Sequence, residues 1–139
     1  MYGKESARSG NLRNVSRVLA FKVGGKAILP PLPPEEKLAA NPPASNADSA
    51  TIAQGDQLFG RYCSVCHGEA AVGGGVVPDL RASSFLANDF WYEIVLNGAM
   101  KDAGMAPFKS VLDHQQAESI RAYVIQRANE DAQRKSATR

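Results

Sequence analysis

A chain of 139 residues with 44% hydrophobic and 22% charged side chains has the make-up of an ordinary globular protein, long enough for one domain and flanking segments. A formal net charge of +2 makes no general case for a nucleic-acid partner. No apolar run approaches the roughly 20 residues that a membrane span needs.

The charge is unevenly placed. Positions 45–126 hold five Lys/Arg against nine Asp/Glu, while both ends are basic. Such a division suggests two functions or two origins within one sequence. The first fourteen residues are polar and lack the basic, apolar and small-residue regions of a signal peptide. The chain is therefore expected to be either a mature protein or a piece of a longer one.

In chain order, residues 1–29 form a first segment. Arg17-Val18-Leu19-Ala20-Phe21-Lys22-Val23 is rich in strand formers and stops at Gly24-Gly25. A lone strand lacks partners for its backbone, so this one reads as an edge taken from a larger sheet. Residues 30–49 carry six of the eight prolines and read as an extended linker. Residues 50–129 read as a helical domain, and residues 130–139 as a polar tail. Asp48 or Ser49 caps a first helix reaching about position 63. A second is expected over about 87–97, stopped by Gly98. A third starts at Asp113, where Gln116 completes a capping box, and runs to about position 127. Gly73-Gly74-Gly75 marks a loop between the first two. So few large apolar side chains make a thin core, which a buried prosthetic group would complete.

The two cysteines stand in Cys63-Ser64-Val65-Cys66-His67. Cys-x-x-Cys-His is the attachment signature of c-type haem. Two thiols on one turn add to the two vinyl groups of the porphyrin, and the next residue presents its imidazole to the iron. The other ring nitrogen of His67 then needs a carbonyl to fix its orientation, and the loop near Pro78 offers one. A zinc site would need ligands as distant as His114. A thioredoxin-like redox pair would need an α/β sheet, and a simple disulfide would leave His67 without a role.

For the sixth iron position, Met105 is the preferred ligand. It stands in Gly104-Met105-Ala106-Pro107-Phe108, where glycine permits close approach and proline stiffens the loop. Met100 is the rival, and plain packing is the alternative for either. His114 is expected to be solvated. Arg81 is read either as a partner for a haem propionate or as a surface ion pair. Leu80, Trp91 and Tyr92 are candidates to line the haem pocket, with an ordinary core role for Trp91 as the alternative.

Gly55 and Phe59 on the first helix, Ile120 and Tyr123 on the last, the Cys63–His67 motif, Pro78-Asp79-Leu80 and Gly104-Met105 come in the order found in class I cytochromes c, which the chain resembles. The resemblance implies an all-α fold with one covalent haem c, His67 and Met105 as iron ligands, and one-electron transfer. The N-terminal strand, the Pro-rich linker, Gly73 to Arg81 and Ile94 to Ala99 resemble the junction and C-terminal cytochrome domain of quinohemoprotein alcohol dehydrogenases. In that family an upstream β-propeller holds pyrroloquinoline quinone (PQQ) and calcium. The resemblance implies that this chain is no enzyme by itself. It implies a PQQ-bearing dehydrogenase domain as electron donor, a small redox protein or quinone as acceptor, and a periplasmic location. The alternatives are a free-standing soluble monohaem cytochrome, or a haem enzyme or sensor with an open iron site.

Overall fold

The computed structural model describes residues 20–28, 41–73 and 77–137. Among them are four α-helices and no strand: α1 (Ser49–Tyr62), α2 (Ser64–His67), α3 (Phe90–Val95) and α4 (His114–Ala137). Single 3-10 turns at Glu69–Ala71, Leu80–Ala82, Ser84–Ala87 and Lys101–Ala103 carry the chain between them. This is the all-α architecture expected of the sequence.

Helix α1 begins where the Asp48 carboxylate accepts the Thr51 N–H at 2.7 Å. Helix α4 begins with a reciprocal box. The Gln116 N–H donates to Asp113 Oδ1 at 2.7 Å, and the Asp113 N–H donates to Gln116 Oε1 at 2.9 Å. Both devices satisfy backbone donors that the helix itself leaves unpaired.

The two long helices cross at Gly55. A Cβ placed there would lie 1.9 Å from the Ser119 carbonyl oxygen and 2.9 Å from Tyr123 Cβ. Only glycine admits so close an approach. One turn further on, Phe59 packs its ring on Tyr123 with centroids 5.3 Å apart. The Ser119 hydroxyl donates to Gln54 Oε1 at 3.0 Å across the same seam. Leu86, Trp91, Val95, Leu96, Leu112, Ile120 and Val124 complete the core around this crossing.

Two sequence expectations are corrected. The second helix, expected over about 87–97, is only Phe90–Val95. Asn88 is extended (φ −146°, ψ 167°) and its side-chain oxygen accepts the Phe90 N–H, so helix cannot pass through it. The polar tail expected over 130–139 is helical as far as Ala137. Its charges are spaced to support a helix: Asp131 pairs with Arg134 and Lys135 at i+3 and i+4. Of the linker expected over 30–49, positions 30–40 lie outside the described residues; further on, Asn129 Nδ2 donates to the Pro43 carbonyl at 2.9 Å and Asp48 caps α1. Gly98 takes the left-handed conformation expected of a helix stop (φ 78°).

Of the strand expected at Arg17 to Val23, positions 17–19 lie outside the described residues. Residues 20–28 hold no strand ladder, and the Gly25 N–H closes a turn on the Lys22 carbonyl at 2.9 Å. Phe21, Val23 and Ile28 are exposed there.

The crossing yields a direct test. Gly55→Ala forces Ser119 and Tyr123 away and should destabilise the chain by about 2–3 kcal/mol or more, the upper range for overpacking. Chemical denaturation of the two proteins measures it; a loss below about 0.5 kcal/mol would place the closest contact elsewhere.

Candidate haem-binding site

Cys63 terminates α1 and starts α2, so the chain changes direction on that residue. Its N–H donates to Phe59 O, and its own carbonyl accepts the His67 N–H, both at 2.9 Å. The Ser64 hydroxyl adds a 2.7 Å bond to the Gly60 carbonyl. Cys63, Cys66 and His67 thereby share one short, well-tied turn. Both thiols are free; Cys63 packs on the core and Cys66 is exposed.

Burial, with Cys66 adding to it, pushes the Cys63 thiol up to about 12. A redox-active pair needs the opposite shift, toward thiolate. Among the described residues no group of three or more His, Cys, Asp and Glu is arranged to hold a metal ion by itself. These two findings weigh against the thioredoxin-like and zinc readings.

Burial pushes the His67 imidazole below its ordinary value, and the Pro78 carbonyl works against that shift. The ring is thus kept neutral, as an iron ligand must be. Its Nδ1 is buried without a hydrogen-bond partner. The carbonyl singled out in the sequence is therefore the one that faces His67.

The chain reaches Pro78 by a left-handed detour. Gly68, Ala70, Ala71 and Gly73 all have φ between 57° and 72°. For the two alanines this conformation costs roughly 1–2 kcal/mol each. It is retained because their methyl groups are buried, Ala71 completely. The Gly73 N–H then donates back to the His67 carbonyl at 2.8 Å.

Leu80, Met105 and Cys63 are each partly buried and pack against the core cluster. Phe108, just past Met105, meets Tyr62, just before Cys63, with ring centroids 6.2 Å apart. This contact ties the methionine loop to the end of α1. The Met105 N–H donates to the Met100 carbonyl at 3.2 Å, and Met100 takes no place in the core cluster.

The remaining candidates have partners of their own. Trp91 is 4% exposed and its indole N–H donates to the Ala117 carbonyl at 3.1 Å, which makes it a core residue. The Tyr92 hydroxyl bonds Glu118 at 2.5 Å, and its ring stacks on the exposed His114 at 3.8 Å. Arg81 pairs with Asp79 at 2.6 Å and with Asp131 at 3.1 Å, its side chain only 12% exposed. This is a partly buried ion-pair chain rather than a fully exposed surface pair. Asp131 itself escaped sequence reading; its i+4 spacing to Lys135 was the available signal.

The residues present fit a covalent haem. Two free thiols stand on one turn, a neutral imidazole follows them with a buried unpaired nitrogen, and a methionine packs on the adjoining core. Fold and site together define a c-type cytochrome domain.

Comparison with known proteins agrees. Residues 50–124 match the family described as cytochrome c oxidase, cbb3-type, subunit III. The chain belongs to this family of cytochrome c domains, and its cofactor is one covalent haem c. It is 41% identical over 130 residues to quinohemoprotein alcohol dehydrogenase ADH IIB of Pseudomonas putida, covering 93% of this chain and 19% of that protein. It is 38% identical over 133 residues to the dehydrogenase subunit of alcohol dehydrogenase (quinone) from Gluconobacter oxydans, covering 94% of this chain and 17% of that protein. A solved structure of quinohemoprotein alcohol dehydrogenase ADHIIG from Pseudomonas putida superposes with a TM-score of 0.64 at 38% identity, over 81% of this chain and 16% of that one. The chain thus spans less than a fifth of the length of these relatives.

The placement of Trp91 is testable. Trp91→Phe removes the bond to Ala117 and should cost about 0.5–1.5 kcal/mol with the haem absorption spectrum unchanged. A spectral change with no stability loss would return Trp91 to the haem pocket.

Proposed function

We propose that this chain takes single electrons from a PQQ-bearing alcohol dehydrogenase domain and passes them to an external acceptor, a small redox protein or a quinone, in the periplasm. The observation that carries this reading is the extent of the match. Relatives named as quinone-type alcohol dehydrogenases align over more than nine-tenths of this chain, including positions before the cytochrome domain. No helix among the described residues is long and apolar enough to cross a membrane.

When bound, the haem supplies a reversible one-electron couple. Cys63 and Cys66 would hold it by thioethers, and His67 would bind the iron through its neutral ring. Met105 would supply a soft sulfur ligand that favours the reduced metal. Leu80 would add an apolar wall, and the Pro78 carbonyl would orient the ring of His67. With His67 and Met105 both bound, the iron would be closed to peroxide and gases, which sets this reading apart from an open-site enzyme or sensor.

The ligand assignment has a sharp test. Met105→Ala should lower the reduction potential and let the iron bind carbon monoxide, while Met100→Ala leaves both properties as they were. The reverse pattern in redox titration would transfer the role to Met100. In either protein, acid–organic extraction after unfolding should leave the haem on the chain.

The donor is tested through the tether. Asn129 fixes Pro43, so about 13 residues, positions 30–42, remain to span. At ~3.1 Å per residue in the extended form they reach ~40 Å, about one domain face. A tether of that length raises the local concentration of the haem at its donor without a tight interface. Stopped-flow mixing should show faster haem reduction when the chain is fused to a reduced PQQ domain than when the two are mixed. Equal rates would remove the tether from the argument, and no reduction in either would leave a free-standing cytochrome with another donor.

A further inference from the structure

Nδ1 of His67 is buried without a hydrogen-bond partner, and the Pro78 carbonyl is the group that acts on this ring against burial, so whatever holds the Pro78 peptide bears on His67. Two features close on that peptide from opposite sides. On one side stands Gly73, left-handed at φ 71°. A Cβ there would lie 2.6 Å from the Val77 carbonyl oxygen, 2.9 Å from the Pro78 carbonyl carbon and 2.9 Å from the Asp79 nitrogen. All three are backbone atoms, so any side chain at this position displaces the Pro78 peptide itself.

On the other side Asp79, the next residue, is locked. Its Oδ1 accepts the Arg81 backbone N–H at 3.0 Å and Arg81 Nε at 2.9 Å, and its Oδ2 accepts the far guanidinium nitrogen at 2.6 Å. The third guanidinium nitrogen reaches Asp131 at 3.1 Å, fifty positions along the chain. Asp131 is held in turn by Lys135 at 2.6 Å and Arg134 at 3.3 Å. The far end of α4, past its crossing with α1, is thereby fastened to the residue that follows Pro78.

We propose that Gly73 and the Asp79–Arg81–Asp131 chain are positioning residues: together they hold the Pro78 carbonyl against Nδ1 of His67 and so set the reduction potential of the haem. The inference rests on the haem reading above. A carbonyl that accepts the Nδ1 proton makes the imidazole a stronger donor and favours ferric iron. Releasing the carbonyl therefore raises the potential.

Charge and position predict opposite signs for Arg81, and this separates them. Removing a cation from the protein around a redox centre lowers the potential by Coulomb's law, since it disfavours the electron-bearing form. Loosening Pro78 raises it. The experiment compares Gly73→Ala and Arg81→Gln in the full haem-loaded chain, by redox titration and by the hydrogen-exchange rate of the His67 Nδ1 proton in NMR. Ser119→Ala, which loosens the helix seam away from Pro78, is the control for lost stability. The expected result is a higher potential and faster Nδ1 exchange in both variants, with the methionine–iron band retained and neither property moved in Ser119→Ala. A potential that falls or stays put in Arg81→Gln overturns the role of the ion-pair chain. An unmoved potential in Gly73→Ala overturns that of Gly73, and if that variant fails to fold, Arg81→Gln decides alone. A parent chain that does not retain haem sinks the haem reading instead, a distinct outcome.

Discussion

The contact between the backbone of Gly55 and the Ser119 carbonyl fixes the geometry of everything that follows it. With no side chain between them, α1 and α4 have one distance and one rotation at which Phe59 can also meet Tyr123. Once that is set, the end of α1 is set, and with it Cys63, which shares hydrogen bonds with both helices that meet there. The turn that carries Cys63, Cys66 and His67 therefore has its position defined by a packing constraint two turns away. A core with few large apolar side chains gains most of its uniqueness from one tight crossing of this kind.

Helix α4 serves as the reference for the other half of the site as well. Beyond the crossing it presents Asp131 to Arg81. Burial acts to raise the Asp131 carboxyl, but the bond from Lys135 and the charges of Arg81 and Arg134 outweigh it and hold the group below its ordinary value. The carboxylate stays charged at neutral pH, as an anchor for a buried guanidinium must. Both chain segments that flank His67, the turn before it and the loop after it, are thus referred to one helix.

Whatever depends on neighbours a few residues apart was legible in the sequence. Asp48, the Asp113–Gln116 box and Gly98 mark helix ends, because capping is a local hydrogen-bonding problem. Cys63, Cys66 and His67 could be proposed for the same reason, since they form one local motif, and Pro78 and Met105 from the loops they stand in. What could not be read is long-range or conditional. The Arg81–Asp131 pair joins positions fifty apart. The last turns of α4 look like a polar tail until Asp131 is seen to be anchored. The left-handed Ala70 and Ala71 follow no residue preference, since alanine avoids that region; burial of their methyl groups overrides it. Trp91 was ambiguous because a single N–H can serve a propionate or a helix carbonyl, and only the approach of α4 decides.

An electron carrier works best when its site changes little between oxidation states, because any rearrangement adds to the barrier for transfer. The devices around His67 act in that direction. A short helix pinned at Ser64, a left-handed turn closed by the bond from Gly73 to the His67 carbonyl, and an ion-pair chain behind Pro78 leave the loop few alternatives. The strain in Ala70 and Ala71 is consistent with this. A conformation costing about 1–2 kcal/mol per residue persists only where the surroundings over-determine it. The same residues would be a poor choice for a site that must open to admit substrate, and a sound one for a site that only gains and loses an electron.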